Sequence, residues 1–221
     1  MQNRYLTIAL IATFLASSAF ARTVVGSGHV VEETRTVADF HAIQSTGGFV
    51  LDVTAGPAVS VKLKGDDNLL AEIETKVANG QLIIKQGKKG DEVHIDDGHV
   101  IRVTVTVPKL DAFSGEGAGK TVFHGLSGDS FALTYGGAGL VTATGNVHNL
   151  TVDANGAGSL DLKSLKAANV TASINGVGAM NVYASDTLTA ALNGIGSLTY
   201  YGHPTHRNTT VNGIGSVSAG D

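Results

Sequence analysis

Asn193-Gly194-Ile195-Gly196-Ser197 and Asn212-Gly213-Ile214-Gly215-Ser216 are the same five residues, nineteen positions apart. They are two copies of a longer series. A Gly-x-Gly triplet begins at Gly117, Gly137, Gly156, Gly176, Gly194 and Gly213, at intervals of 20, 19, 20, 18 and 19 residues. A period near twenty is a solenoid signature. The flanks agree between copies. Two residues before the first glycine stand Gly115, Tyr135, Ala154, Ile174, Leu192 and Val211. Four and six residues after it stand Thr121/Phe123, Val141/Ala143, Leu160/Leu162, Met180/Val182, Leu198/Tyr200 and Val217/Ala219. Each unit therefore reads strand, Gly-x-Gly bend, strand.

One such unit cannot bury its own apolar face, but stacked copies can, because each strand bonds to its counterpart in the next coil. Asn155, Asn175, Asn193 and Asn212 each precede the bend. In a stack these side chains align into an amide ladder. The expected fold is all-β: a right-handed parallel β-helix-like solenoid of about twenty residues per coil. The coil has room for two long strands or three short ones.

Upstream of residue 111 the grammar changes to strands and hairpins. Phe49, Leu51 and Val53 alternate with other residues, as do Val59, Val61 and Leu63, the pattern of half-buried strands. Gly56-Pro57 separates the two runs. Asp66-Asp67-Asn68 reads as the start of a short helix carrying Leu69, Leu70, Ile73 and Val77. Asn79-Gly80 is a hairpin signal before Leu82, and Asp97-Gly98 another before Ile101, Val103, Val105 and Val107. Pro108 ends that strand. Residues 22–110 thus form a hairpin-rich N-terminal region and 111–221 the repeats, either as two parts or as one continuous domain.

Residues 1–21 read as a secretory signal peptide, with Arg4 in the n-region, an apolar run from Tyr5 to Leu15 and Ala19-Phe20-Ala21 at the cleavage point. The expected protein is exported, to periplasm, cell surface or medium, with no membrane insertion in its mature part. The whole chain carries a formal charge of −4, so losing Arg4 leaves −5. That argues against a nucleic-acid partner, which needs clustered cations, and against docking on anionic lipid. Zero cysteines exclude disulfides, thiolate metal sites and cysteine nucleophiles.

The repeated Asn-Gly-Ile/Val-Gly-Ser units resemble the auto-transporter adhesin head GIN domain family of bacteria. So do Phe40-x-x-Ile43-x-x-x-Gly47-x-Phe49-x-Leu51-x-Val53, Gly65-Asp66-Asp67-Asn68-Leu69-Leu70 and Val103-x-Val105-x-Val107-Pro108-x-Leu110. The resemblance spans roughly residues 36–219. It implies an exported β-rich domain with a β-helical body, and it brings no catalytic residues with it. An auto-transporter also needs a C-terminal membrane barrel, and none is expected before Asp221.

Six patterns invite chemistry. Ser114-Gly115-Glu116-Gly117-Ala118-Gly119-Lys120-Thr121 resembles a phosphate loop, but Val122-Phe123-His124-Gly125 reads as strand and turn where a helix is required. Gly136-Gly137-Ala138-Gly139 lacks the aspartate and the nine-residue period of a calcium roll, with Val141 at the ligand position. His94, Asp96 and His99 are the candidate divalent-metal ligands in the densest acidic stretch; the alternative is a solvated hairpin. His203 and His206 flank Pro204 in an expected loop. Asp153 and Asp161 flank one corner, the minimum for a carboxylate pair. Tyr200 is expected to face inward and Tyr201 outward.

The function these readings favour is a non-enzymatic envelope or surface module that binds glycan or protein, with no cofactor. The alternatives are a polysaccharide-acting enzyme on a β-helix, or a self-associating module that forms homo-oligomers through its solenoid ends.

Overall fold

The structure is a computed structural model that describes residues 22–87, 93–95 and 98–221. The expected signal peptide lies outside them. The fold is a β-solenoid of about five turns.

The regular coils come from β10 (Ala112–Glu116), β11 (Lys120–Tyr135), β12 (Leu140–Ala154), β13 (Ala157–Ile174), β14 (Val177–Leu192), β15 (Ile195–Tyr201), β16 (His206–Val211) and β17 (Ile214–Ala219). All stack in parallel register. Between β11 and β12 pairing runs over 120–123, 126–128 and 130–135, with interruptions between. The β11–β12 step thus has three paired stretches, two long and one short, while β14 pairs with the next coil in two. The Gly-x-Gly bend joins the two long ones.

Why glycine recurs is visible in the spacing. A Cβ on Gly176 would lie 1.9 Å from the Gly156 carbonyl oxygen, and one on Gly194 would lie 1.8 Å from that of Gly176. The backbones of successive bends approach too closely for any side chain. Beside this column the amide ladder forms: Asn175 donates to Asn155 at 2.9 Å, Asn193 to Asn175 at 2.9 Å and Asn212 to Asn193 at 3.1 Å.

The inward positions named from sequence are buried through five coils, as at Ile174, Leu192, Leu160 and Val182. The last coil differs, with Val211 45% exposed. Its inward columns also change chemistry. Arg207 stands in register with Leu188 and Thr209 with Ala190. Arg207 donates to the Tyr200 hydroxyl and lies 5.6 Å from that ring's centre. An inward charge on an edge strand is one way proteins blunt that edge.

The stack continues below the repeats in a different chain order. β3 (Ala42–Thr46) lies under β10, and β4 (Val50–Ala55) under β11. Gly47 takes the bend position, since a Cβ on Gly117 would lie 2.3 Å from its carbonyl oxygen. One step lower, β7 (Gln81–Gln86) lies under β3 and β9 (Arg102–Val107) under β4, both parallel. Residues 42–55 are therefore sandwiched between coils that follow them in sequence. Phe113, Phe123 and Phe131 fill the junction edge to face, with centroids 5.0 and 5.5 Å apart.

Antiparallel strands close this lower end. β6 (Ile73–Ala78) covers β7 through the Asn79-Gly80 turn, where φ is 52° and 71°. The left-handed pair is what that dipeptide supplies. β5 (Ser60–Asp66) covers β9, and β2 (Val30–Arg35) covers β5.

One expectation needs correction. The helix is a single turn, α1 (Asp67–Leu70); Ile73 and Val77 lie on β6. Four residues apart is an even spacing, so one strand face accommodates that pair as well as a helix does. The Asp97-Gly98 hairpin signal includes Asp97, which lies outside the described residues; β8 (Val93–Ile95) pairs in parallel with β1 (Arg22–Val24).

Candidate functional site

The Gly65–Leu70 segment is a clasp. Asp66 precedes α1 but makes no side-chain cap bond to it. Its carboxylate accepts the Gly28 amide at 2.7 Å and lies 2.9 Å from His99 Nδ1. The Asp66 side chain is 6% exposed and that of His99 28%. A buried carboxylate needs such partners. Gly26 packs against the pair: a Cβ there would meet Asp66 Oδ2 and His99 Nδ1, both at 2.3 Å.

Asp67 and Asn68 hold the same arm from outside. Ser27 Oγ donates to Asp67 at 2.6 Å, and the Ser27 amide to Asn68 Oδ1 at 3.0 Å. Asn68 Nδ2 donates to the Val25 carbonyl at 2.8 Å. The Ser27 hydroxyl, then the Asn68 amide and His29, hold the Asp67 carboxyl below its ordinary range.

Ser27, His29 and Asp67 are close together without forming a catalytic triad. His29 Nδ1 lies 3.3 Å from Asp67, the carboxylate that Ser27 also bonds. What reaches Ser27 Oγ from His29 is the backbone amide, at 3.2 Å. A nucleophile–base pair needs the imidazole on the hydroxyl.

Above the clasp opens a cleft of about 470 Å³, bordered by Gly28, Val30, Lys64, Asp66, His99 and Arg102. That volume is within the range of small-ligand sites. A second cleft of about 460 Å³ lies by Asp39, Phe40, His41, Pro57 and Lys109. There Asp111, 2.9 Å from Lys109, raises the lysine's pKa.

The other described sequence candidates lie on separate elements. His94 lies on β8 opposite Thr23, and Asp96 lies outside the described residues. Among the described residues no group of three His, Asp or Glu side chains could hold a metal ion. Lys120 and Thr121 begin β11, so the phosphate-loop text is bend and strand. His203 is exposed in the loop before β16, and His206 is exposed at its start. Asp153 accepts from Ser173 at 2.7 Å and Asp161 from Asn181 at 3.4 Å. Tyr200 is buried and Tyr201 half-buried, as their positions predict. The half-buried tyrosines each have a lysine near the ring: Lys163 Nζ lies 6.0 Å from the Tyr201 centroid and Lys166 Nζ 3.6 Å from that of Tyr183. Among the described residues no helix is long and apolar enough to cross a membrane.

Sequence reading placed Asp66 and His99 in separate features, a helix start and an acidic loop. Their pairing across 33 residues had no local signal. Lys64 and Arg102, paired with each other beside the same cleft, were missed for the same reason.

The fold recurs in solved structures. A putative adhesin from Bacteroides fragilis NCTC 9343 is 23% identical, with TM-score 0.73 over 89% of this chain and 99% of that one. A putative adhesin from Parabacteroides distasonis ATCC 8503 is 21% identical, with TM-score 0.60 over 90% and 100%. A putative lipid binding protein from the same organism is 19% identical, with TM-score 0.56 over 90% and 100%. No curated protein matches the chain. Residues 39–204 match the description "Putative auto-transporter adhesin, head GIN domain", and the chain belongs to that family.

Proposed function

We propose that this protein is an exported, non-enzymatic module displayed at the cell surface, where it binds glycan in adhesion. The adhesin description of its family supports a surface role. The observation that carries the glycan reading is one outward sheet face. From β2 through β5, β9, β4, β11, β12, β13, β14 and β15 to β17, ten strands lie side by side. At about 4.8 Å per strand the face extends on the order of 43 Å. Along one row stand Thr104, Asp52, Val122, Thr142, Asp161, Asn181 and Thr199, all polar but Val122. Hydroxyl, amide and carboxylate groups repeating at strand spacing suit a hydroxyl-rich polymer, through many weak hydrogen bonds.

The test is binding of the purified chain to an array of glycans beside a panel of surface proteins. Saturable binding to glycans, competed by the free sugar, is expected. Binding to proteins alone, or to neither, would overturn this reading.

A further inference from the structure

The neighbouring row on the same face is cationic. It runs Glu32, Lys64, Arg102, Val50, Lys120, Leu140, each in register with the next. Lys64 and Arg102 are directly opposite on an antiparallel pair, where like charges destabilise. Nearby acids do not relieve this evenly. Asp52 bonds Arg102, Asp66 is taken by His99 and Gly28, and Glu32 reaches Lys62 at 3.6 Å. Lys64 and Lys120 are exposed and have no carboxylate partner among the described residues. Arg102 keeps further donors beyond the one on Asp52. Lys64 to Lys120 spans three strand steps, about 14 Å, and the cleft of about 470 Å³ opens beside Lys64 and Arg102.

We propose that this row and its cleft bind an acidic polysaccharide, whose uronate carboxylates or sulfate esters engage Lys64, Arg102 and Lys120. A regular polyanion suits the row because its charges repeat along a chain, as these cations repeat across strands. This inference rests on the glycan reading and names the class of glycan. The overall negative charge makes the row a local exception that discriminates against a diffuse anionic surface.

The experiment is titration of the full chain with a polyuronate oligosaccharide, a sulfated oligosaccharide and a neutral one of equal length, at low and raised salt. The acidic sugars are expected to bind more tightly, and to weaken with salt. Lys64→Gln and Lys120→Gln should each lower affinity by about threefold, and the double variant by about tenfold. Lys76→Gln, on β6 and paired with Glu74, should leave it unchanged. Thermal midpoints near wild type will show that these surface variants fold. Equal binding of the neutral sugar would overturn the inference while leaving the glycan reading standing. Binding of none of the three would overturn the inference, and the array then judges the glycan reading separately. Preference for vesicles containing anionic lipid would also overturn it.

Discussion

Strands β2–β7 with β9, and strands β10–β17, build one stack by opposite means. The repeats lay each coil on the last, with glycine bends and an asparagine ladder marking the register. The N-terminal region reaches the same parallel register out of order, placing β3 and β4 between coils made later in the chain. It also adds antiparallel strands, the clasp and most of the charge. Local repetition builds a regular scaffold that carries little individual chemistry. Long-range assembly builds an end where charged groups distant in sequence converge: Asp66 with His99, Lys64 with Arg102. The two ends of the stack differ accordingly. Strands cover one, while the other stops at a coil with Arg207 in its inward column.

The contrast can be broken at matched positions. Leu192 and Val211 share a column, one fully buried and the other 45% exposed. Leu192→Asp should destabilise on the order of 4 kcal/mol and Val211→Asp about 0.5 kcal/mol. Equal losses in denaturant titration would mean that the last coil is covered. Next in size is the bend. Gly176→Ala should cost about 3 kcal/mol through forced backbone movement. At Gly136 the nearest atom to an added Cβ is 3.6 Å away, so Gly136→Ala should cost less than about 0.5 kcal/mol. A tolerated Gly176→Ala would refute the close stacking.

At the capped end, Asp66→Asn removes the charged acceptor from Gly28 and His99, with a loss of about 2 kcal/mol expected. Hydrogen exchange should then rise first in residues 25–29; a uniform rise would mean that the clasp is not a local unit. In the ladder, Asn193→Ala loses a bond on each side and should cost about 1 kcal/mol, Asn212→Ala less. The smallest effect is the acid dependence of Asp67. Its folded pKa is lowered, so its contribution is present above the ordinary carboxylate range and lost as pH falls through the folded value. The thermal midpoint of Asp67→Asn should therefore fall less steeply on acidification than that of the wild type. Parallel curves would remove Asp67 from the clasp.

The repeats were legible in sequence because their signals are local. Spacing fixed the bends, the residues two before and four and six after them fixed the inward face, and aligned asparagines foretold the ladder. Asn79-Gly80 was legible for the same reason. What stayed hidden depends on distant pairing. Nothing near Phe49 shows that β4 will lie between β9 and β11. Asp66 has the look of a helix cap because a cap and a clasp use the same short carboxylate. The outward cationic row joins residues from three separate strands, and only the register reveals it. Arg207 is the exception: it had a local signal, a charge where the column below holds Leu188.

The measurement that bears most directly on the central claim, a surface-displayed adhesion module, is protease accessibility of the protein on intact cells against lysed cells. The account predicts cleavage or antibody labelling on intact cells. Protection until lysis would contradict it and place the binding faces inside the envelope.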